Sequence, residues 1–123
     1  MQVYKLKAFA RFQRREKIGD GALVRSVRVA DEGLIDADLG GGLIKQRVAR
    51  SGEGKRGGFR TVIAYKRGER AVFLFGFAKS DKENLDDDEL ASWRRIGRIY
   101  LGLDDAAMEA AEEAGEVMEV ENG

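Results

Sequence analysis

The sequence predicts an α+β domain in which a small, mainly antiparallel sheet carries two N-terminal helices and a C-terminal helix. Apolar residues recur with a helical period at both ends of the chain, whereas between glycine turns in the middle they alternate or run continuously. A length of 123 residues fits one hydrophobic core and leaves no room for a second catalytic domain.

The first third of the chain is expected to form a short strand and two helices. Alternating apolar residues begin in "VYKLKAF", and Phe9 and Phe12 then lie three residues apart until Gly19 stops the pattern. In "DGALVRSVRVADEG", apolar residues are spaced by three and four. Asp20 is a suitable N-cap for this second helix, and Gly33 is a suitable stop.

The middle of the chain has the pattern of strands. "LIDADLGGG" and "LIKQRVAR" are short alternating segments separated by a turn at glycines 40–42. Two further strands are joined in a hairpin at Gly68, because glycine supplies the positive φ that a tight turn needs. The second of these strands, residues 71–78, is almost continuously apolar and is expected to be central in the sheet.

The last third begins with an amphipathic helix that has Asp86 as its N-cap and Glu89 three residues later. Its buried stripe is expected to contain Leu90, Trp93, Gly97, Tyr100 and Leu101. We assign residues 1–103 to a single domain. Residues 104–123, rich in Ala and Glu, are expected to be an acidic tail that is partly helical or disordered.

Composition excludes several kinds of chemistry. The chain has no cysteine and no histidine, which excludes disulfides, thiol nucleophiles and thiolate or imidazole metal sites. We expect neither a metal nor a cofactor, so any catalysis must use Lys, Arg, Tyr or carboxylate side chains. No stretch approaches the roughly 18 apolar residues of a membrane span, and the N-terminus lacks a signal peptide's apolar core. A cytoplasmic protein without a membrane partner is expected.

A net charge of zero hides a segregation of charge along the chain. Residues 43–82 carry 11 basic and 3 acidic side chains, whereas residues 83–123 carry 3 basic and 13 acidic ones. This pattern indicates an anion-binding surface next to an acidic end.

The cations of the middle third cluster on and around the predicted strands. Because alternate residues of a strand share a face, several of them are expected on one side of the sheet. A basic face of this kind is typical of proteins that bind a phosphate backbone. The candidate residues are Lys45, Arg47, Arg50, Lys55, Arg56, Arg60, Lys79 and Lys82.

Within this region, "ARSGEGKRGGFRTVIAY" contains a G-x-G-x-x-G match. A dinucleotide site would require a helix after the glycines, but a strand-like segment follows. A phosphate-binding P-loop would require Ser or Thr after Lys55, but Arg56 stands there. Two interpretations remain: a flexible hairpin connection with solvated cations, or a turn that runs close to an RNA backbone.

The chain resembles a known family from residue 3 to residue 101. The shared pattern comprises the glycine-rich "DLGGGL", the "GKRGGFR" turn into a strand, the apolar strand ending "FGFAKSDKEN" and a closing helix. This combination is similar to the RelE/ParE superfamily of toxins from bacterial type II toxin-antitoxin systems, specifically the HigB-like branch of RelE-type toxins.

The resemblance implies a small sheet with flanking helices that enters the ribosomal A site and cleaves mRNA there, which inhibits translation. Cleaving members of the family act without a metal: the 2′-hydroxyl is the nucleophile, and a 2′,3′-cyclic phosphate or its hydrolysis product remains. Fixed Lys and Arg charges can stabilise the crowded phosphorane in place of histidine. A desolvated Lys with cationic neighbours can serve as the base.

Roles for individual residues also follow from the resemblance. Arg60 is implied as the clamp on the transition-state phosphate, since a guanidinium can hold two oxygens at once. Lys55 is implied as a base or a phosphate contact, and Lys79 as a phosphate contact or the group that protonates the leaving oxygen. The expected contacts to the mRNA or rRNA backbone come from Lys45, Arg47, Arg50, Arg56 and Lys82.

The expected partners are the ribosome, mRNA and a cognate antitoxin with a helix-turn-helix domain, through which DNA is contacted only indirectly. One feature of the family is missing: its best-known ribonucleases have a tyrosine shortly after the last strand, where this chain reads "SDKENLDDDE". Trp93 is expected in the core. Two alternatives remain open, a ParE-like inhibitor that binds DNA gyrase and a noncatalytic RNA-binding or degenerate toxin.

Overall fold

Six strands form one mixed sheet, and four helices pack on it in a computed structural model of the chain. The model describes residues 1–50, 54–78 and 85–120, with only the backbone at residues 50 and 54–57. The elements in chain order are β1 Gln2–Leu6, α1 Lys7–Arg15, α2 Asp20–Asp31, β2 Ala37–Gly40, β3 Leu43–Arg50, β4 Gly54–Lys66, β5 Arg70–Ala78, α3 Asp87–Gly102, α4 Asp105–Glu113 and β6 Val117–Glu119.

The strand order is β2-β3-β4-β5-β1-β6, so the apolar strand β5 is internal, as its sequence predicts. Strands β2 to β5 form an antiparallel meander, and β6 pairs antiparallel with β1. The parallel contact is between β1 and β5, where Val3 lies opposite Ala71. The α+β class with a mainly antiparallel sheet is therefore confirmed, and α4 and β6 are additions to the predicted set.

Each face of the sheet has its own hydrophobic core. On one face, Phe9 and Phe12 of α1 and Leu23 of α2 pack with Val48 and Phe73 of the strands. We call this the α1/α2 face. On the opposite face, which we call the α3/α4 face, residues of the strands and of α4 form a second buried set: Tyr4, Leu43, Val62, Ala64, Val72, Leu74, Met108, Ala111 and Val117.

Helix α3 begins with the predicted capping box. The Asp86 side chain accepts a hydrogen bond from the Glu89 backbone N–H, and the Glu89 side chain accepts one from the Asp86 N–H. Further along, Gly97 is buried against the sheet: a Cβ placed there would lie 3.0 Å from Leu43 Cδ2 and 3.2 Å from the Ala64 Cβ. The missing side chain therefore lets α3 lie close to β3 and β4.

Two local expectations were wrong. The "GKRGG" segment is not a turn: β4 already begins at Gly54, which pairs with Arg50, because glycine also accepts an extended conformation that a neighbouring strand can pair with. The connection itself, residues 51–53, lies outside the described residues. Helix α2 has Gly19 rather than Asp20 at its N-cap position. The Asp20 carboxylate instead accepts a hydrogen bond from Lys5 Nζ at 3.0 Å.

The segment expected as a tail contributes to the core up to residue 120. Helix α4 buries Met108 and Ala111, and β6 buries Val117 as it pairs with β1. The Asp104 side chain caps α4 by accepting a hydrogen bond from the Ala107 N–H at 2.8 Å. In the described parts of the chain, no helix has the length and apolar character to cross a membrane.

Candidate nucleic-acid interface

The α3/α4 face is covered by α3 over only part of its length. Below α3, Leu43 and Val62 are fully buried. Because side chains on one face of a strand recur every two residues, Lys45 and Arg47 follow Leu43 on this face, and Arg60 precedes Val62 on it. We call these three cations, Lys45, Arg47 and Arg60, the basic face.

Arg47 and Arg60 lie directly opposite each other on antiparallel strands β3 and β4. Arg47 is exposed, and Lys45 and Arg60 are half-buried. None of the three makes a hydrogen bond or ion pair with any residue that the structure describes. Two guanidinium groups held side by side, with no carboxylate partner in the described ranges, generate a positive potential that favours an anion.

A glycine supports Arg47 from the neighbouring strand. A Cβ at Gly58 would lie 3.2 Å from Arg47 Cγ and 3.1 Å from the Val48 carbonyl oxygen, so any side chain there would crowd both. Gly58 therefore leaves room for the aliphatic part of Arg47 along the sheet. This is a packing role that the G-x-G-x-x-G pattern does not indicate, since Gly58 is outside that pattern.

Aromatic side chains lie between the basic face and α3, and the first of them, Phe77, is buried. Phe77 of β5 lies opposite Arg60, and its ring centroid is 5.7 Å from that of Phe75. The alternation of side chains between the two faces is interrupted in β5 by a register shift in its pairing with β4. Phe75, which lies opposite Val62, is therefore on the α3/α4 face together with its neighbour Leu74. Phe75 in turn stacks on Trp93 with centroids 5.6 Å apart. Trp93, expected in the core, is half-buried at its boundary.

The other candidate residues are placed less completely. Arg50 lies opposite Gly54 near the end of β3, and Lys55 and Arg56 follow in β4, where their backbones are described. Lys79 and Lys82 lie outside the described residues. The structure thus brings Lys45, Arg47 and Arg60 together on one face, and the roles of all eight candidate cations stay predictions.

The sequence did not identify Phe75 and Phe77 as neighbours of the basic face. Both residues belong to an uninterrupted apolar run, which gives no indication of which side chains reach the edge of the core. Their two-residue spacing does not identify them either, because Phe73 continues the same spacing and lies on the α1/α2 face.

Two of the three tyrosines, Tyr65 and Tyr100, are held in structural contacts. Burial raises the pKa of Tyr65 to about 12, helped by its hydrogen bond to Asp31 Oδ1 at 2.5 Å. Burial also raises the pKa of Tyr100 to about 12, together with its hydrogen bond to Glu116 Oε1 at 2.9 Å. Both phenols therefore keep their protons at neutral pH. Tyr65 packs on the α1/α2 face and Tyr100 belongs to α3, so neither is one of the residues of the basic face.

The arrangement can bind phosphate and stabilise charge that develops on it. Fixed guanidinium groups need no change of protonation near neutral pH, and their planar N–H groups match pairs of phosphate oxygens. Across the described ranges, no three Asp or Glu side chains converge into a metal site. The cations of the basic face favour an anionic ligand, and the half-buried rings of Phe75 and Trp93 beside them can stack with the bases of a nucleic acid.

Comparison with known proteins gives one result. Residues 1–120 match a family model described as the RelE toxin of the RelE / RelB toxin-antitoxin system. Among curated proteins, none matches the chain significantly. The match spans nearly the whole chain, including α4 and β6.

Proposed function

The chain belongs to the RelE toxin family, the toxins of toxin-antitoxin systems, and from this premise we propose that it cleaves mRNA in the ribosomal A site. Cleavage there stops translation. The proposal extends to the HigB-like branch, with a helix-turn-helix antitoxin as the cognate partner and DNA contact only through it. In this function the basic face is the surface that meets mRNA.

The observation that carries the proposal is the Arg47–Arg60 pair. These residues face each other across β3 and β4 without an acidic partner among the described residues, beside the ring of Phe77. A cross-strand pair of like charges destabilises a sheet, and a bound anion would compensate the two charges. A phosphate group between the two guanidiniums does this.

The reaction that fits such a site is an in-line transfer at phosphorus without a metal. The 2′-oxygen of the mRNA forms a bond to the adjacent phosphorus while the bond from phosphorus to the 5′-oxygen breaks, which leaves a 2′,3′-cyclic phosphate. Arg60 holds two nonbridging oxygens as negative charge grows on them. In this proposal the amine of Lys55 accepts the 2′-hydroxyl proton, and the ammonium of Lys79 protonates the departing 5′-oxygen.

The experiment is to induce the chain from a tightly controlled promoter and map mRNA 5′ ends. We expect new ends within codons occupying the A site. Removing one group that stabilises transition-state charge lowers a rate by about 10²–10³. Arg60→Ala should therefore abolish these ends on the time scale of induction. Arg28→Ala is the matched control, because Arg28 is an exposed arginine of α2 on the opposite side of the sheet.

Growth arrest with intact mRNA would contradict the proposal. If that arrest persisted in Arg60→Glu, protein binding of the ParE kind would replace RNA cleavage as the account. Ribosome association without new mRNA ends would favour a noncatalytic RNA-binding protein. Loss of cleavage in Arg28→Ala as well would show a general effect of removing cations rather than a site at Arg60.

A further inference from the structure

A second surface lies at the outer edge of β5. Strand β1 pairs with β5 only as far as Lys5 opposite Phe73, and the chain then turns away into α1 at Lys7. From Leu74 onward, β5 therefore has no strand beside it on this edge in the described part of the chain. A groove of about 320 Å³ crosses the edge between α1 and α3.

Aromatic rings line this groove. Phe12 lies on the α1 side, and Phe75 and Trp93 lie on the α3 side. The Phe75 and Trp93 rings are close to parallel, with 29° between their planes. Trp93 is half-buried, so part of its ring stays accessible. Rings in this arrangement form a platform on which another flat ring can stack.

The α1 wall of the groove is cationic. Arg11 and Arg15 line it, and the four-residue spacing continues to Lys7, so the three cations form one stripe along α1. The helix contains no acidic residue. Arg15 has an exposed contact with Glu16 at 3.5 Å, which is weak in water. Like charges at i and i+4 destabilise a helix, and a bound polyanion would offset that cost.

We infer that this groove binds single-stranded RNA, with a base stacked at Trp93 and the flanking phosphates on the stripe of Lys7, Arg11 and Arg15. The stripe spans about 12 Å along the helix axis, enough for consecutive phosphates of one strand. The inference rests on the proposed function, because the groove extends the basic face: Phe75 belongs to the groove, and Phe77 connects it to Arg60.

Charge and shape favour RNA over a peptide. Among the described residues that line the groove there are two guanidinium groups and no carboxylate, so this lining complements a polyanion. The volume is at the lower end of the roughly 300–1,000 Å³ of ligand pockets and suits one ring system. Base stacking on aromatic side chains tolerates any base, so we expect little sequence preference from this groove.

Trp93 is the chain's single tryptophan and reports directly on the groove. The experiment titrates the full chain, without ribosomes, with a short single-stranded RNA carrying 2′-O-methyl groups, which cannot be cleaved by attack of the 2′-oxygen. We expect quenching of Trp93 fluorescence that saturates together with binding measured by anisotropy of a labelled copy. An abasic oligomer of equal length should bind more weakly and leave the fluorescence unchanged.

The variant Arg11→Gln/Arg15→Gln tests the cationic wall. We expect binding to weaken at least tenfold. The dependence of log K on log salt should become shallower by about 1.4, because each of two lost phosphate contacts contributes about 0.7 for a single strand. Arg25→Gln/Arg28→Gln removes two exposed arginines from α2 and should change neither quantity.

The inference would be overturned if RNA bound without changing Trp93 fluorescence and if Arg11→Gln/Arg15→Gln bound RNA as tightly as the parent chain. Quenching by the cognate antitoxin but not by RNA would overturn it too and would assign the groove to a protein. These results are separable from the proposed function. A chain that binds RNA through this groove but leaves mRNA intact on the ribosome contradicts only the cleavage proposal.

Discussion

Arg47 and Arg60 occupy opposing positions on β3 and β4, so their side chains lie on the same face of the sheet. Such a pair costs stability, because like charges directly opposite each other in a sheet repel. Proteins retain unfavourable arrangements of this kind where function needs them. We therefore expect substitutions in this pair to raise the stability of the fold while they lower its activity.

Replacing Arg60 with threonine should stabilise the fold while removing activity. Arg60→Thr relieves the repulsion and places a β-branched residue in a strand, so we expect the free energy of unfolding to rise by about 0.2–1 kcal/mol. Urea denaturation measures this change. Lys45→Thr is the control: it introduces the same β-branched residue, but Lys45 lies opposite the uncharged Val62, so its gain should lack the part that comes from relieved repulsion. A clear loss of stability in Arg60→Thr would mean that Arg60 is structural.

Arg70 should be essential for stability rather than for RNA binding. It is buried, and its Nη1 donates hydrogen bonds to the carbonyl oxygens of Tyr100 at 2.9 Å and Leu103 at 2.6 Å. Arg70→Ala leaves these carbonyls at the end of α3 without their donor, so we expect a loss of about 2–4 kcal/mol in unfolding free energy. Exposed Arg67→Ala should change it by less than about 0.5 kcal/mol. Equal effects in the two variants would refute this assignment.

Gly76 fixes the distance between α1 and β5. A Cβ at this position would lie 2.4 Å from Phe12 Cε2, and Phe12 is itself buried among other rings. Gly76→Ala should therefore force α1 to shift and cost about 1–3 kcal/mol in thermal or urea unfolding. Gly102→Ala provides the comparison, because nothing lies within 4 Å of a Cβ there. A neutral Gly76→Ala would show that Phe12 is free to move.

The stability of the fold at alkaline pH should depend on the two hydrogen-bonded tyrosines, Tyr65 and Tyr100. The folded-state pKa of Tyr65 and of Tyr100 is about 12, above the ordinary value of 10.0. Their contribution to stability is therefore fully present below about pH 10 and is lost as pH rises through about 12, because the unfolded chain releases these protons first. Tyr65→Phe/Tyr100→Phe should flatten this part of the stability curve in denaturation measurements. Identical curves for parent and variant would contradict the raised pKa values.

Local signals made part of the fold predictable. The capping box of α3 and the turn at Gly68, whose φ is 72°, depend on neighbouring residues and were correctly predicted. Pairing between β1 and β5 depends on residues that are about 68 positions apart, as Gln2 and Arg70 are, and no local pattern specifies it. In α4 and β6, numerous acidic residues obscured the few apolar ones, among them Met108, that pack into the core.

The candidate site was predictable to a similar degree. The two-residue period of a strand was sufficient to place Arg60 with other cations on one face. It could not place Phe75, because a register shift in the β4–β5 pairing changes the alternation within a continuous apolar run. The groove beside α1 could not be predicted from the sequence either, because it exists only where β1 ends before β5 does.

The most direct test of the central claim is cleavage on purified ribosomes by the purified chain, with a 2′-deoxy nucleotide at the scissile position of the mRNA. We predict A-site cleavage of the all-ribose message, with a 2′,3′-cyclic phosphate end and undiminished in the presence of a chelator that leaves the ribosomes intact. The deoxy message should remain whole, and Arg60→Ala should be inactive on both. Cleavage of the deoxy message, or full cleavage by Arg60→Ala, would contradict attack by the 2′-oxygen at a phosphate held by Arg60.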